Sequence, residues 1–170
     1  MTLSNRLYFF IIAAFATISF MGNCSYKFRD VSIDQDLKTV RVQLLINRAP
    51  YVNPQLSANL TEGVKRKILN QTRLSQTNSD NAHFDISGSI SDYSVSTSAI
   101  SDKQEVNNRL TVSVHIVANN TLKNEVKEFD ISRNFEFDAK TSLQAAEARL
   151  LEEIIRTLSD DIFNRLFSNW

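Results

Sequence analysis

The chain has 170 residues with 19 basic and 19 acidic side chains, so it lacks the net positive charge that would attract nucleic acid. Its three glycines and two prolines exclude collagen-like, repeat-rich and linker-rich architectures, and they leave no Gly-rich phosphate-binding loop. A single cysteine excludes a disulfide within the chain, so packing alone must hold the fold together.

The first residues have the pattern of a secretory signal peptide. Arg6 supplies a positive charge, an apolar run extends from Leu7 to Met21, and the small residue Gly22 follows it. The run is shorter than the roughly 20 apolar residues that a helix needs to cross a bilayer. We therefore predict a signal peptide over residues 1–23, whose removal leaves about 150 residues, the size of one domain with a single core.

The end of this segment, Phe20-Met21-Gly22-Asn23-Cys24, resembles the lipobox of bacterial lipoproteins, although Asn23 departs from the usual small residue before the cysteine. The resemblance implies that Cys24 is diacylated and becomes the first residue of the mature chain, and that residues 24–38 tether the domain to the membrane. No acidic run follows the cysteine, so we expect a periplasm-facing domain. The alternative is an uncleaved N-terminal anchor helix in which Cys24 is a free thiol.

A strand and a helix are the first predicted elements. Every second position is apolar at Val40, Val42, Leu44 and Ile46, which predicts a strand with this face on the core. Asn53 and Pro54 are typical of a helix start. The helix, predicted over residues 54–72, has apolar residues at steps of four: Leu56, Leu60, Val64 and Ile68. Its basic residues 65–67 are interpreted as a solvated face, with a lipid headgroup contact as the alternative.

Three later segments alternate apolar and polar residues, which predicts three strands that pair as a meander. In the first segment the alternation changes phase between Ile90 and Tyr93, so we predict a bulge near Ser91–Asp92. The second and third segments place these apolar residues on one face: Leu110, Val112, Val114 and Ile116, then Phe129, Ile131, Phe135 and Phe137.

A long helix is predicted to end the chain. Thr141 and Gln144 have the spacing of a capping box, and apolar residues follow at helical spacing as far as Leu166. The order βαβββα predicts one α+β domain over residues 39–170, with a four-stranded sheet and two helices packed on one face. The strands are too polar to be buried on both faces, so the other face is left for water or a partner.

No catalytic residue, metal site or cofactor is predicted. His115 has the outward phase of its strand, His83 starts another strand, and neither has the spacing of metal ligands. The last segment, "DDIFNRLFSNW", contains more apolar side chains than one helical stripe can bury. Either the loop after Cys24 covers this end, or Phe163, Phe167 and Trp170 contact another protein.

Several segments together resemble the LptE family of outer-membrane lipoproteins, which assist the assembly of lipopolysaccharide. They are Cys24-Ser25-Tyr26 with Phe28, "NPQLSANLTEGVKRKI" in the first helix, "ISGSISDYSV" and "NNRLTVSVHIVANN" in two strands, and "DDIFN" with "NW" at the end. The similarity covers nearly the whole mature chain. The family fold, a four-stranded sheet with two helices on one side, agrees with the fold predicted from periodicity.

The resemblance implies a role without a reaction. Proteins similar to LptE sit inside the lumen of a large β-barrel partner, LptD, as a plug and folding partner, and they bind lipopolysaccharide. For this chain it implies a non-enzymatic protein, lipid-anchored in the outer membrane and located within the barrel lumen. Since lipid A phosphates require basic partners, Lys103 and Arg109, in or beside one hairpin loop, are the candidate contact. A chance surface pair is the alternative for these two residues.

An alternative function of a different class is compatible with the same fold. The chain would then be a lipid-anchored periplasmic enzyme or a small-ligand-binding protein. A pocket between the sheet and the helices would use Asp85 or His83 as a base.

Overall fold

The fold is α+β, as predicted, but its sheet has six strands instead of four. The structure, a computed structural model, describes residues 33–34, 36–98 and 107–167. The elements are β1 (Thr39–Val42), β2 (Ile46–Asn47), α1 (Leu56–Gln71), β3 (Ser75–Gln76), β4 (Phe84–Ser98), β5 (Asn107–Asn120), β6 (Glu125–Asp138) and α2 (Leu143–Phe167). The prediction of four strands was wrong because the first predicted strand is divided into β1 and β2, and because β3, at two residues, is too short to show alternation.

The sheet is mixed, with its strands in the order β3-β1-β4-β5-β6 and with β2 beside β4. β1 runs parallel to β3 and β4, because α1 intervenes as a crossover. β4, β5 and β6 form an antiparallel meander, as predicted. The register between β4 and β5 shifts between Ile90 and Asp92, which confirms the predicted bulge.

The first predicted strand is interrupted, and this interruption changes which side chains are buried. Val40 is buried, but Leu44 and Ile46 are 62% and 55% exposed, and Leu45 is buried in their place. From Val42 to Ile46 the chain advances four residues while its partner β4 advances three, from Ile86 to Ser89. The extra residue reverses the alternation, so the core positions predicted for Leu44 and Ile46 were wrong.

The two helices begin slightly later than predicted. All four stripe residues of α1 are buried, which confirms the stripe. Asn53 closes the turn before α1, because its Oδ1 accepts a hydrogen bond from the Gln55 backbone N–H at 3.0 Å. At α2, Ser142 replaces Thr141 as the capping residue, since Ser142 Oγ accepts the Ala145 N–H at 3.3 Å. Neither helix in the described part of the chain is long and apolar enough to cross a membrane.

The helices touch each other at Gly63. A Cβ atom at this position would lie 2.7 Å from Ser159 Oγ and 2.8 Å from Ile155 Cγ2, so only glycine allows this approach. Lys67 Nζ lies 2.5 Å from Asp160 Oδ1 and bridges the same pair of helices, so the solvated position predicted for Lys67 was wrong. The apolar stripes of both helices and the inward side chains of the strands form one core. Among the described residues, no helix lies on the opposite face of the sheet.

Candidate functional site: the uncovered face of the sheet

Polar side chains cover most of the sheet face opposite the helices. They alternate along the strands with the buried residues, so the pattern that builds the core also builds this face. Its members on the three long strands include Ser87, Ser94 and Ser96 on β4, Arg109, Thr111, Ser113 and His115 on β5, and Asp130, Ser132, Asn134 and Glu136 on β6. We call this set the outer face.

Directly opposite residues of β5 and β6 are joined by hydrogen bonds across the outer face. Thr111 Oγ1 donates to Asn134 Oδ1 at 2.9 Å. Two residues further on, the hydroxyls of Ser113 and Ser132 lie 2.9 Å apart. Each such pair contributes roughly 0.2–1 kcal/mol to the sheet. The outer face is therefore ordered before any partner binds.

His115 continues this row between two acids of β6. Its Nδ1 lies 2.8 Å from Asp130 Oδ1, and its Nε2 lies 3.1 Å from Glu128 Oε1. An imidazole donates from both ring nitrogens only when both carry a proton, so both contacts are hydrogen bonds only in that state. The arrangement links two strands. In the described residues no group of His, Cys, Asp and Glu side chains is suited to hold a metal ion.

Asp85 and His83, the bases of the enzyme reading, are both engaged in structural contacts. Arg41 donates from Nε to Asp85 Oδ1 at 2.7 Å and from a terminal nitrogen to Oδ2 at 3.0 Å, and Gln43 donates to Oδ2 at 2.8 Å. Hydrogen bonds to Asp85 and then Asp80 raise the pKa of Arg41. His83 Nδ1 accepts the Lys38 backbone N–H at 3.2 Å. Asp85 points to the outer face, away from the space between sheet and helices.

Of the two residues predicted to contact the lipid headgroup, Arg109 lies on the outer face near the N-terminal end of β5. Lys103 is outside the described residues. The Arg109 side chain is 42% exposed, and its guanidinium is 3.6 Å from Glu136. The β5–β6 turn that carries Lys123 is at the other end of β5, roughly 35 Å away at about 3.4 Å per residue. There Lys123 pairs with Asp34 at 2.8 Å.

The two described members of the predicted partner contact are packed inside the chain. Phe163 and Phe167 are 2% and 7% exposed. Their ring centroids are 5.1 Å apart, and the ring of Phe167 lies 5.6 Å from that of Phe84. A partner contact through these two rings stays a prediction. Because both rings are buried in the core, a partner could reach them only if this part of the core became exposed. Trp170 and the predicted lipidation site Cys24 lie outside the described residues.

A cluster of polar side chains lies on the core side of β4, and sequence periodicity does not predict it. Tyr93 is 2% exposed, and within the described residues its hydroxyl meets no partner in good hydrogen-bond geometry. Burial, followed by the nearby Glu147 carboxylate, raises the pKa of Tyr93 well above its ordinary value. Tyr51 stacks on Tyr93 with centroids 5.6 Å apart, and its hydroxyl donates to Glu147 Oε2 at 3.4 Å. The only signal in the sequence is the phase change that turns Tyr93 inward.

Comparison with solved structures gives matches at low sequence identity, one of them with a TM-score of 0.50. A homologue of a neuraminyllactose-binding hemagglutinin from Helicobacter pylori has a TM-score of 0.50 at 10% identity, over 78% of this chain and 87% of that chain. A hypothetical protein from Chlamydia trachomatis has a TM-score of 0.48 at 11% identity, over 78% and 99% of the two chains. A minor lipoprotein from Acinetobacter baumannii has a TM-score of 0.39 at 16% identity, over 78% and 94%.

A family model identifies the chain more specifically. No curated protein matches at a significant level. The family model LptE, described as lipopolysaccharide-assembly, matches residues 37–166. This range includes all six strands, α1 and nearly all of α2. The match agrees with the resemblance found in the sequence segments, and the chain therefore belongs to the LptE lipopolysaccharide-assembly family.

Proposed function

We propose that this chain is a non-enzymatic outer-membrane lipoprotein that assists lipopolysaccharide transport and assembly as the plug and folding partner of an LptD-like β-barrel. Residues 1–23 are the signal peptide, Cys24 carries the lipid, residues 24–38 are the tether, and residues 39–170 form the domain. The observation that carries the proposal is the family match over residues 37–166.

The outer face is chemically suited to the lumen of a barrel. Barrel interiors are polar and hydrated. A sheet face of hydroxyls, amides and paired charges can contact such a wall in place of water, and this contact exposes no apolar area. Its side chains are already held by bonds such as Thr111–Asn134 and Ser113–Ser132. Docking therefore orders few additional side chains and loses less conformational entropy.

A role without catalysis is consistent with the contacts of the candidate bases. Both oxygens of Asp85 accept hydrogen bonds from Arg41, and His83 Nδ1 accepts one from a backbone N–H. Neither group is therefore held ready to take a proton from a substrate. No observation favours the enzyme reading over the assembly role.

The test is purification of the tagged, full-length protein from native outer membranes. We expect a barrel-sized outer-membrane protein to co-purify, and we expect depletion of the chain to lower the amount of surface lipopolysaccharide. If no barrel is recovered and surface lipopolysaccharide is unchanged, the assembly role is wrong.

A further inference from the structure

The two exposed long edges of the sheet differ in charge. β6 is the outer strand of the meander, and seven of its 14 residues are charged. Charged side chains on an edge strand hinder the addition of another strand. The other edge is the last part of β4, from Asp92 to Ser98, where β2 has already ended its pairing at Ile90. In the ranges that the structure describes, no strand lies beside this part of β4, whose only charged residue is Asp92.

Backbone groups on this part of β4 are available for pairing. Before the bulge, the Ile86 and Ile90 carbonyls face the β1–β2 side, since they accept the N–H groups of Gln43 and Arg48 at 2.8 and 2.9 Å. The bulge after Ile90 shifts the register by one residue. Tyr93, Val95 and Thr97 therefore direct their N–H and C=O groups away from β5 and toward the free edge.

Exposed apolar side chains are concentrated around the same edge. Of the large apolar side chains that are exposed in the described residues, most lie on β4 or on the segment that runs beside it: Leu44, Ile46, Tyr51, Val52 and Val95. Val95 is 42% exposed and shares a face with Tyr93, on which Tyr51 stacks. Leu44 and Ile46 flank the part of β4 that β1 and β2 already cover, whereas Val95 and Tyr51 lie at the free edge, where covering them would remove apolar area from water.

We propose that the free edge of β4, Asp92–Ser98, accepts an extended strand of a partner protein, placed end to end with β2. Addition of a strand to a sheet edge gains affinity from main-chain hydrogen bonds and specificity from alternate side chains. The charges of the two edges decide which one an uncharged strand can join. Such a strand can add to the free edge of β4, which carries one acidic residue, whereas the charged side chains of β6 hinder its addition there. The inference rests on the proposed function, because the barrel partner is the source of the strand.

Amide hydrogen exchange on the full-length chain, alone and in the complex from native membranes, tests the proposal. We expect the amides of Tyr93, Val95 and Thr97 to exchange at least tenfold more slowly in the complex. The edge-facing amides of β6, such as that of Val126, should be unchanged. If the barrel co-purifies and the three amides still exchange at the rate of the isolated chain, this inference is wrong while the proposed function stands. If no barrel co-purifies, this inference is wrong, and the proposed function is wrong as well if depletion leaves surface lipopolysaccharide unchanged.

A pair of valine-to-proline variants provides a matched test. Val95 and Val126 are both exposed, and both have an edge-facing N–H by register, so a proline removes one donor without breaking the bonds to β5. Val95→Pro should lower the yield of complex at least tenfold, and Val126→Pro should not. Equal yields from the two variants would overturn the proposal. If Val95→Pro lowers the unfolding midpoint of the isolated chain, Val95→Lys is compared with Val126→Lys.

Two other occupants of the edge give different results. A second copy of the chain would produce concentration-dependent self-association that Val95→Pro abolishes. A segment of the same chain would protect the three amides in the isolated monomer. Either result would overturn the proposal of a partner strand.

Discussion

Arg109 forms an ion pair with Glu136 in which another anion can replace the carboxylate. Its guanidinium lies 3.6 Å from Glu136, beyond hydrogen-bond distance, on a side chain that is 42% exposed. An exposed pair of this kind contributes little to stability. A phosphate offers shorter, charge-assisted contacts to the same guanidinium. The residue is therefore free to serve as a headgroup contact without loss of the fold.

The first prediction concerns this candidate contact. Changing both Lys103 and Arg109 to Glu should weaken lipopolysaccharide binding about tenfold or more, because a hydrogen bond to a charged group contributes roughly 1.5–3 kcal/mol. Binding of labelled lipopolysaccharide to the purified protein measures the effect. The same charge change at two other exposed residues, Arg66→Glu together with Arg73→Glu, is the control. Equal binding by the double variant and the control would contradict the assignment.

The second prediction concerns the hydroxyl of Tyr93, which is buried and meets no well-placed hydrogen-bond partner in the part of the chain that the structure describes. Removing an unpaired buried polar group relieves its desolvation penalty. Tyr93→Phe should therefore leave the free energy of unfolding within about 1 kcal/mol of the wild type, or increase it. Urea unfolding followed by circular dichroism measures this change. A loss above about 2 kcal/mol would mean that the hydroxyl has a partner such as Glu147 in solution.

At the scale of elements, the crossing of α1 and α2 depends on one missing side chain. Gly63→Ala gains up to about 1 kcal/mol of helix propensity. The added Cβ, however, would lie 2.7 Å from Ser159 Oγ and 2.8 Å from Ile155 Cγ2. We expect a net loss of about 1–3 kcal/mol in the free energy of unfolding, because the helices must separate. Asn59→Ala, at an exposed position of α1, should be neutral or stabilising in the same urea titration.

A pH-dependent contact attaches the segment before β1 to the β5–β6 turn. A hydrogen bond from Lys123 lowers the pKa of Asp34 below its ordinary value of 3.8. A lowered folded-state pKa means that the contact is fully stabilising above the ordinary value and is lost as the pH falls through the lower value. Amide exchange of residues 36–38 should therefore quicken as the pH falls below about 4, after correction for the intrinsic rate. In Asp34→Asn the corrected rates should not change across this range.

How much of the fold can be predicted depends on the length of each element. β4, β5 and β6 span 14 or 15 residues, so alternation is clear in the sequence and defines both the core and the outer face. β2 and β3 have two residues each, and their positions are set by pairing with distant strands. The Tyr51–Glu147 contact joins residues 96 positions apart, so no local pattern reveals it.

For the whole molecule, location is predicted to depend on the proposed lipidation of Cys24. Acyl chains contribute about 0.8 kcal/mol per buried CH₂ group, so two or more chains hold a soluble domain firmly at a membrane. Cys24→Ser should therefore leave the chain unprocessed or move it to the soluble fraction. Membrane fractionation and intact-mass measurement of the mature chain distinguish these results. A wild-type chain without a lipid adduct would contradict the assignment.

The parallel pairing of β1 with β4 has a consequence for the order of folding. Val40 pairs with Phe84, 44 residues later, whereas β4, β5 and β6 are joined by neighbouring hairpins. Contacts between distant residues require the closure of a long loop and form slowly. We therefore expect pulsed hydrogen exchange to show protection of the meander before protection of β1. During this interval β4 is open along its whole length on the β1 side, so a folding partner would have its widest access before β1 pairs with β4.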